Sequence, residues 1–226
     1  MSQELAGDDA MGRIYLQPIA APSILGLYGF AAATFMVAAY MCGWYGGKQT
    51  PLYLAPFAAF FGGLAQFCAG MWAYKARDAI ATAMHGTWGS FWMAWGLLNV
   101  LFATGALATP SGPEPGLAYW YFMLAAVTIM GAFAATAENA GLALVLYTLA
   151  AGALCLAIGR LIGSEGVVIA AGYVLVVSAV IAWYTASSLM FKGVGKQFLP
   201  LGMMPNVRKA PDVALGRGEP GVQRGQ

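Results

Sequence analysis

The chain has 226 residues, 60% of them hydrophobic and only 9% charged, with a mean hydropathy of +0.69 and a formal net charge of +2. So little charge excludes an ordinary soluble domain, and so small an excess of cations excludes an electrostatic grip on nucleic acid. Every Lys, Arg, Asp and Glu lies outside six uncharged stretches: Ile24–Tyr45, Pro51–Tyr74, Thr87–Ala108, Leu117–Thr136, Gly141–Gly159 and Val167–Phe191. A hydrocarbon core about 30 Å thick takes roughly 20 apolar helical residues to cross. A helix also satisfies its own backbone in lipid. The pattern predicts an all-α integral membrane protein with six transmembrane helices.

In chain order, residues 1–20 read as a cytoplasmic N-terminal arm, 21–191 as the six-helix transmembrane domain, and 192–226 as a cytoplasmic tail. The arm begins with Glu4, Asp8 and Asp9 and lacks the basic start and apolar core of a signal peptide. Gln49–Pro51 turns the chain between the first two spans. Lys75-Ala-Arg-Asp-Ala-Ile80 joins the second to the third, and the loop Thr109–Gly116 is broken by three prolines. Ala137–Ala140 links spans four and five, and Arg160–Gly166 forms the last turn. Nine of the eleven Lys and Arg (Arg13, Lys75, Arg77, Lys192, Lys196, Arg208, Lys209, Arg217, Arg224) fall on one side, against Lys48 and Arg160. The positive-inside rule then predicts a multi-pass protein of the plasma (inner) membrane with both termini cytoplasmic.

Aromatics at the span ends (Trp44, Tyr45, Trp72, Tyr74, Tyr119, Trp120) suit the headgroup level. Phe30 sits too deep for that. Gly26 and Gly29 share a face of span one, and Gly62, Gln66 and Gly70 recur every fourth residue in span two, spacing that lets backbones approach closely. The spans carry no ionisable proton relay. Their polar inventory is Gln66, Thr87, Ser90 and Asn99, with Asn139 at an edge, enough for a small permeant held by a few hydrogen bonds. His85, the lone histidine, reads as an interfacial side chain on the approach to span three. Cys42, Cys68 and Cys155 read as apolar filler. No cofactor, metal site or catalytic group is expected, and the chain does not read as an enzyme.

Four strings occur in order: Leu25-Gly-Leu-Tyr-Gly-Phe30, Phe61-Gly-Gly-Leu-Ala-Gln-Phe-Cys-Ala-Gly-Met-Trp72, Trp88-Gly-Ser-Phe-Trp92 and Phe198-Leu-Pro-Leu-Gly202. On them the chain resembles the acetate uptake transporter family, which includes bacterial succinate–acetate permeases and fungal acetate and ammonia-export proteins. The resemblance implies a ring-like homo-hexamer with a pore through each protomer. It further implies a hydrophobic constriction at Phe30, Trp88 (a family tyrosine) and Leu149; the polar residues Gln66, Thr87, Ser90 and Asn139 are the candidates for the rest of the path. The expected function is a channel or transporter for small monocarboxylates, acetate first and succinate next. Ammonia or ammonium transport, or a non-transporting sensor or assembly subunit, are the alternatives. The family's Asn-Pro-Ala-Pro-Leu-Gly-Leu stands here as Ala21-Pro-Ser-Ile24-Leu-Gly-Leu27, its glutamate late in span two as Ala73, and its Gly-Asn-Thr-Phe as Arg77–Ile80. These changes strip polar groups from the expected mouth.

Overall fold

A computed structural model describes residues 19–110, 112, 114–196 and 198–202. Most of the expected N-terminal arm, and the tail past Gly202, lie outside the described residues. Every regular element among the described residues is helical. Six runs follow one another: α1 (Ser23–Met41), α2 (Thr50–Ala76), α3 (Ala79–Ala103), α4 (Pro115–Ala135), α5 (Ala140–Leu161) and α6 (Glu165–Gly193). All but α3 are long and apolar enough to cross a membrane. Helix α3 falls short because Trp88, Trp92 and Trp95, with His85, Ser90 and Asn99, dilute its hydropathy. It is also the helix that brings the aromatic cluster described below into the core.

The largest departure from the sequence reading is the start of α3, expected at Thr87 and observed at Ala79. An uncharged window is a poor guide to a helix end; the cap decides it. The Asp78 carboxylate accepts from the Ala81 backbone N–H at 2.8 Å, and Arg77 (φ +56°) closes α2 in the left-handed region. A reversal of two residues therefore joins α2 to α3. At the other loop, the third proline does not interrupt a helix but begins one. Pro115 is the first residue of α4, where a missing N–H costs nothing, and Glu114 caps it.

Helix α2 is not uniform. Pro56 removes one donor from its interior, and one residue later the coil widens into a π-helical stretch, Ala58–Ala65, after which Gln66 resumes the α-helix. Glycine lets α2 and α3 touch backbone to backbone. A Cβ on Gly89 would lie 2.6 Å from the Phe67 nitrogen, and one on Gly70 2.7 Å from that of Gly86. Helix α6 packs between α1 and α5, and α5 lies against α4. The outward faces carry Phe35, Phe57, Phe60, Met130, Phe133 and Trp183, all exposed. Apolar side chains facing both inward and outward suit helices surrounded by lipid.

The Phe198–Gly202 string, expected in a loosely held tail, instead latches onto the bundle. The backbone N–H groups of Ala140 and Gly141 donate to the Gly202 and Leu201 carbonyls at 3.1 and 2.9 Å. The Tyr184 hydroxyl donates to the Pro200 carbonyl at 2.8 Å, and Ser188 Oγ to that of Leu199 at 2.5 Å. These bonds take up the free donors at the start of α5 and tie it to α6.

Candidate functional site

Helices α1, α3 and α5 each supply one side chain to a plug in the middle of the bundle. Phe30, Trp88 and Leu149 are 2%, 4% and 2% exposed. The Phe30 and Trp88 rings meet edge to face, centroids 6.2 Å apart at 70°. Trp88 also meets Phe91 at 5.3 Å, and Phe91 touches Trp92 at 5.1 Å and Tyr121 at 5.7 Å. Such pairs contribute about 0.5–1.5 kcal/mol each beyond area burial. The indole is also hydrogen-bonded: Trp88 Nε1 donates to Thr128 Oγ1 of α4 at 3.0 Å, and that hydroxyl donates to the Leu124 carbonyl at 2.6 Å. Trp88 therefore has no free donor, and the remainder of its ring is apolar.

Cavities lie on both sides of this plug. Toward the ends of α1, α3 and α5 opens a vestibule of about 880 Å³. Its walls include Trp92, Trp95, Trp120 and Tyr121; its Lys and Arg complement is Arg160 alone, and Glu114 and Glu165 also line it. Toward the opposite end lies a pocket of about 20 Å³, bounded by Ser23, Leu27, Gln66, Ile80, His85 and Leu142 among others. Trp88 and Leu149 line both cavities, and Phe30 lines the smaller. The plug is the partition between them.

Among the described residues, five buried side-chain polar atoms have no hydrogen-bond partner in the protein: Thr34 Oγ1, Gln66 Oε1, His85 Nδ1, Trp92 Nε1 and Thr185 Oγ1. Thr34 and Trp92 belong to residues lining the vestibule, and Gln66 and His85 to residues lining the small pocket. An unsatisfied buried group costs about 1–3 kcal/mol. Concentrating four of them beside one apolar partition is an arrangement suited to a polar solute stopping on either side.

The structure brings together Phe30, Trp88, Leu149 and Gln66. It does not bring Thr87, Ser90 or Asn139 to them. Thr87 and Ser90 face a separate open groove against α2, with Tyr74, Arg77 and Asp78, and Ser90 Oγ donates to the Gly86 carbonyl at 2.8 Å. Asn139 caps α5, its Oδ1 accepting from the Leu142 N–H at 2.8 Å. His85 corrects the sequence reading: it is 4% exposed, not interfacial. Because α3 starts at Asp78's cap, His85 already lies inside the helix and turns toward α1. There Gly26 leaves room for the ring; a Cβ at Gly26 would sit 2.5 Å from the imidazole. A signal was present, since His85, Trp88 and Trp92 follow one another at three and four residues and so share a helix face.

A profile of the GPR1/FUN34/yaaH family matches residues 8–205. The chain belongs to this family. Among its relatives, ammonia transport outward protein 2 of Saccharomyces cerevisiae is 30% identical over 169 residues, 73% of this chain and 59% of the yeast protein's length. The succinate-acetate/proton symporter SatP of Escherichia coli is 26% identical over 186 residues, 81% of this chain and 96% of that protein. The solved structure of the bacterial acetate channel SatP superposes with a TM-score of 0.73 at 24% identity, covering 82% of this chain and all of that one. The fold is thus that of a known multi-pass membrane protein, and these family members are named as channels or transporters.

Proposed function

We propose that the chain conducts small monocarboxylates, acetate foremost, through a path in each protomer that narrows at Phe30, Trp88 and Leu149. The observation carrying this reading is the partition itself, one apolar layer with polar-lined space on both sides. A dry constriction of this kind opposes ion leak by dewetting. A solute with a short apolar tail and one polar head loses less on crossing it than a hydrated ion does. A carboxylic acid titrates well below neutral pH, so the solute reaches the vestibule as an anion. There Arg160 draws it in, and Thr34 and Trp92 offer hydroxyl and indole donors. The family's named acetate and succinate-acetate carriers support the substrate class.

The positive-inside asymmetry supports a placement in the plasma (inner) membrane with both ends of the chain cytoplasmic, the vestibule then facing outward. The family resemblance supports a hexameric ring. A second reading, passage of ammonia or ammonium, draws on the yeast relative named for ammonia export. Radiolabelled acetate uptake into proteoliposomes separates the two. Propionate and formate should compete and methylammonium should not; inhibition by methylammonium with indifference to propionate would transfer the assignment to ammonium.

A further inference from the structure

We infer that the small pocket formed by Gln66 and His85 is a binding site for the undissociated carboxyl group of the permeant, so that the path holds a neutral acid on one side of Trp88 and an anion on the other. This rests on the monocarboxylate reading above and assigns the chemical form of the solute.

The argument begins with the two unpartnered atoms. Gln66 Oε1 is an acceptor only, and the residue is 2% exposed. His85 Nδ1 is unpartnered in the same pocket, and its ring is held there by the bare backbone of Gly26. The same two side chains carry donors: the Gln66 amide N–H groups and whichever imidazole nitrogen bears the proton. The site therefore offers both acceptor and donor. An undissociated carboxyl group presents the complement, one O–H and one C=O. A carboxylate presents acceptors alone and leaves Gln66 Oε1 unpaired. An ammonium ion presents donors alone.

Charge points the same way. Around the imidazole, α1 contributes Ser23, Leu27 and Phe30, α2 contributes Gln66, α3 contributes Ile80, Met84 and Trp88, and α5 contributes Leu142, Val145, Leu146 and Leu149. No Asp, Glu, Lys or Arg is among the lining residues, and His85 is the one titratable group. An anion here would be stripped of water without a counter-charge, a penalty a neutral acid escapes. Size agrees as well. About 20 Å³ admits roughly one water-sized group. A carboxyl group, three heavy atoms, can enter only head first and with the surrounding apolar side chains giving way, its alkyl tail remaining among Phe30, Trp88 and Leu149. The vestibule differs in kind: its unpartnered groups are an indole N–H and a hydroxyl, with Arg160 in the same wall.

The chain's single histidine makes the site observable. Full-length protein, purified through a tag free of histidine, is labelled with ¹⁵N at the imidazole. Its Nδ1 and Nε2 shifts are followed as acetate is added at about pH 5.5 and about pH 6.5, each against its own acetate-free spectrum. The expected result is a saturable shift whose midpoint in total acetate rises about tenfold between the two, tracking the undissociated fraction. Gln66→Leu should abolish the shift, and Ser90→Ala should leave it intact. A midpoint equal at both pH values identifies the anion as ligand and overturns the proposal, as does a response to methylammonium in place of acetate. Parallel flux measurements keep the two readings apart. Protein that shows the shift but passes no acetate would refute transport alone; protein that passes acetate with a silent imidazole would refute this site alone.

Discussion

The two cavities flanking Trp88 are built on opposite principles. The vestibule is about 880 Å³, rich in aromatic walls, and carries charge of both signs in Arg160, Glu114 and Glu165. The pocket on the other side is about 20 Å³, uncharged, and set with two bare polar atoms. A wide charged mouth collects ions from solution, while a tight neutral pocket accepts only what has shed its charge and most of its water. On the proposed reading, selection would fall to the plug and the pocket beyond it, and the mouth would set the rate of arrival.

The comparison can be broken most directly at the plug. Trp88→Ala should raise acetate flux severalfold by joining the two cavities, and an unchanged rate would remove Trp88 from the path. Because large-to-small changes at buried aromatics cost about 3–5 kcal/mol, the milder Leu149→Ala, at about 2–5 kcal/mol, should be measured beside it and should move flux in the same direction. The pocket can be filled instead of opened. Gly26→Ala places a methyl against the imidazole, and overpacking of this kind costs about 1–3 kcal/mol. It should lower the melting temperature of detergent-purified protein and weaken acetate uptake together.

A third change tests how rigid the partition is. Thr128→Val deletes the acceptor that holds Trp88 Nε1 and strands that buried donor, at a cost of about 1–3 kcal/mol. Stability should drop by that amount in thermal unfolding, and flux should vary less than with Trp88→Ala. At the mouth, Arg160→Gln should slow acetate entry at low ionic strength, and the deficit should fade in high salt because the Debye length contracts to about 3 Å at 1 M. A deficit independent of salt would make Arg160 a direct ligand.

The smallest effect expected is at Glu138, in the turn before α5. Partial desolvation first and the negative charge of Asp78 second push the carboxyl of this exposed side chain above the usual carboxylate range. Folding therefore favours its protonated form, so its contribution to stability is greatest in acid and is lost as pH rises through the raised value. Glu138→Gln should raise thermal stability slightly at neutral pH and not at all near pH 4. A gain that persisted in acid would assign it to packing.

Much of this was legible in the residues alone. Six uncharged stretches marked the helices because lipid tolerates so little charge, and Phe30 stood out as an aromatic too deep for the interface. What stayed hidden depended on contacts across the bundle. Hydropathy starts a span where charge ends, whereas the Asp78 cap starts α3 eight residues earlier and carries His85 into the core. Thr87 and Ser90 were expected along a path because they are polar groups within an uncharged span, but composition does not fix a helix face, and α3 turns both to a separate groove against α2. The tail string could be recognised as a motif, but its purpose emerged only where Gly202 and Leu201 meet the free N–H groups of α5.

The account stands or falls on whether solute crosses the layer held by Leu149. Acetate uptake into proteoliposomes should be compared for Leu149→Trp, which thickens the plug, and Leu154→Trp, on the exposed face of the same helix, with folding of both verified by melting temperature. The account predicts that Leu149→Trp abolishes uptake while Leu154→Trp retains the unmodified rate. Equal uptake by two folded variants would contradict it.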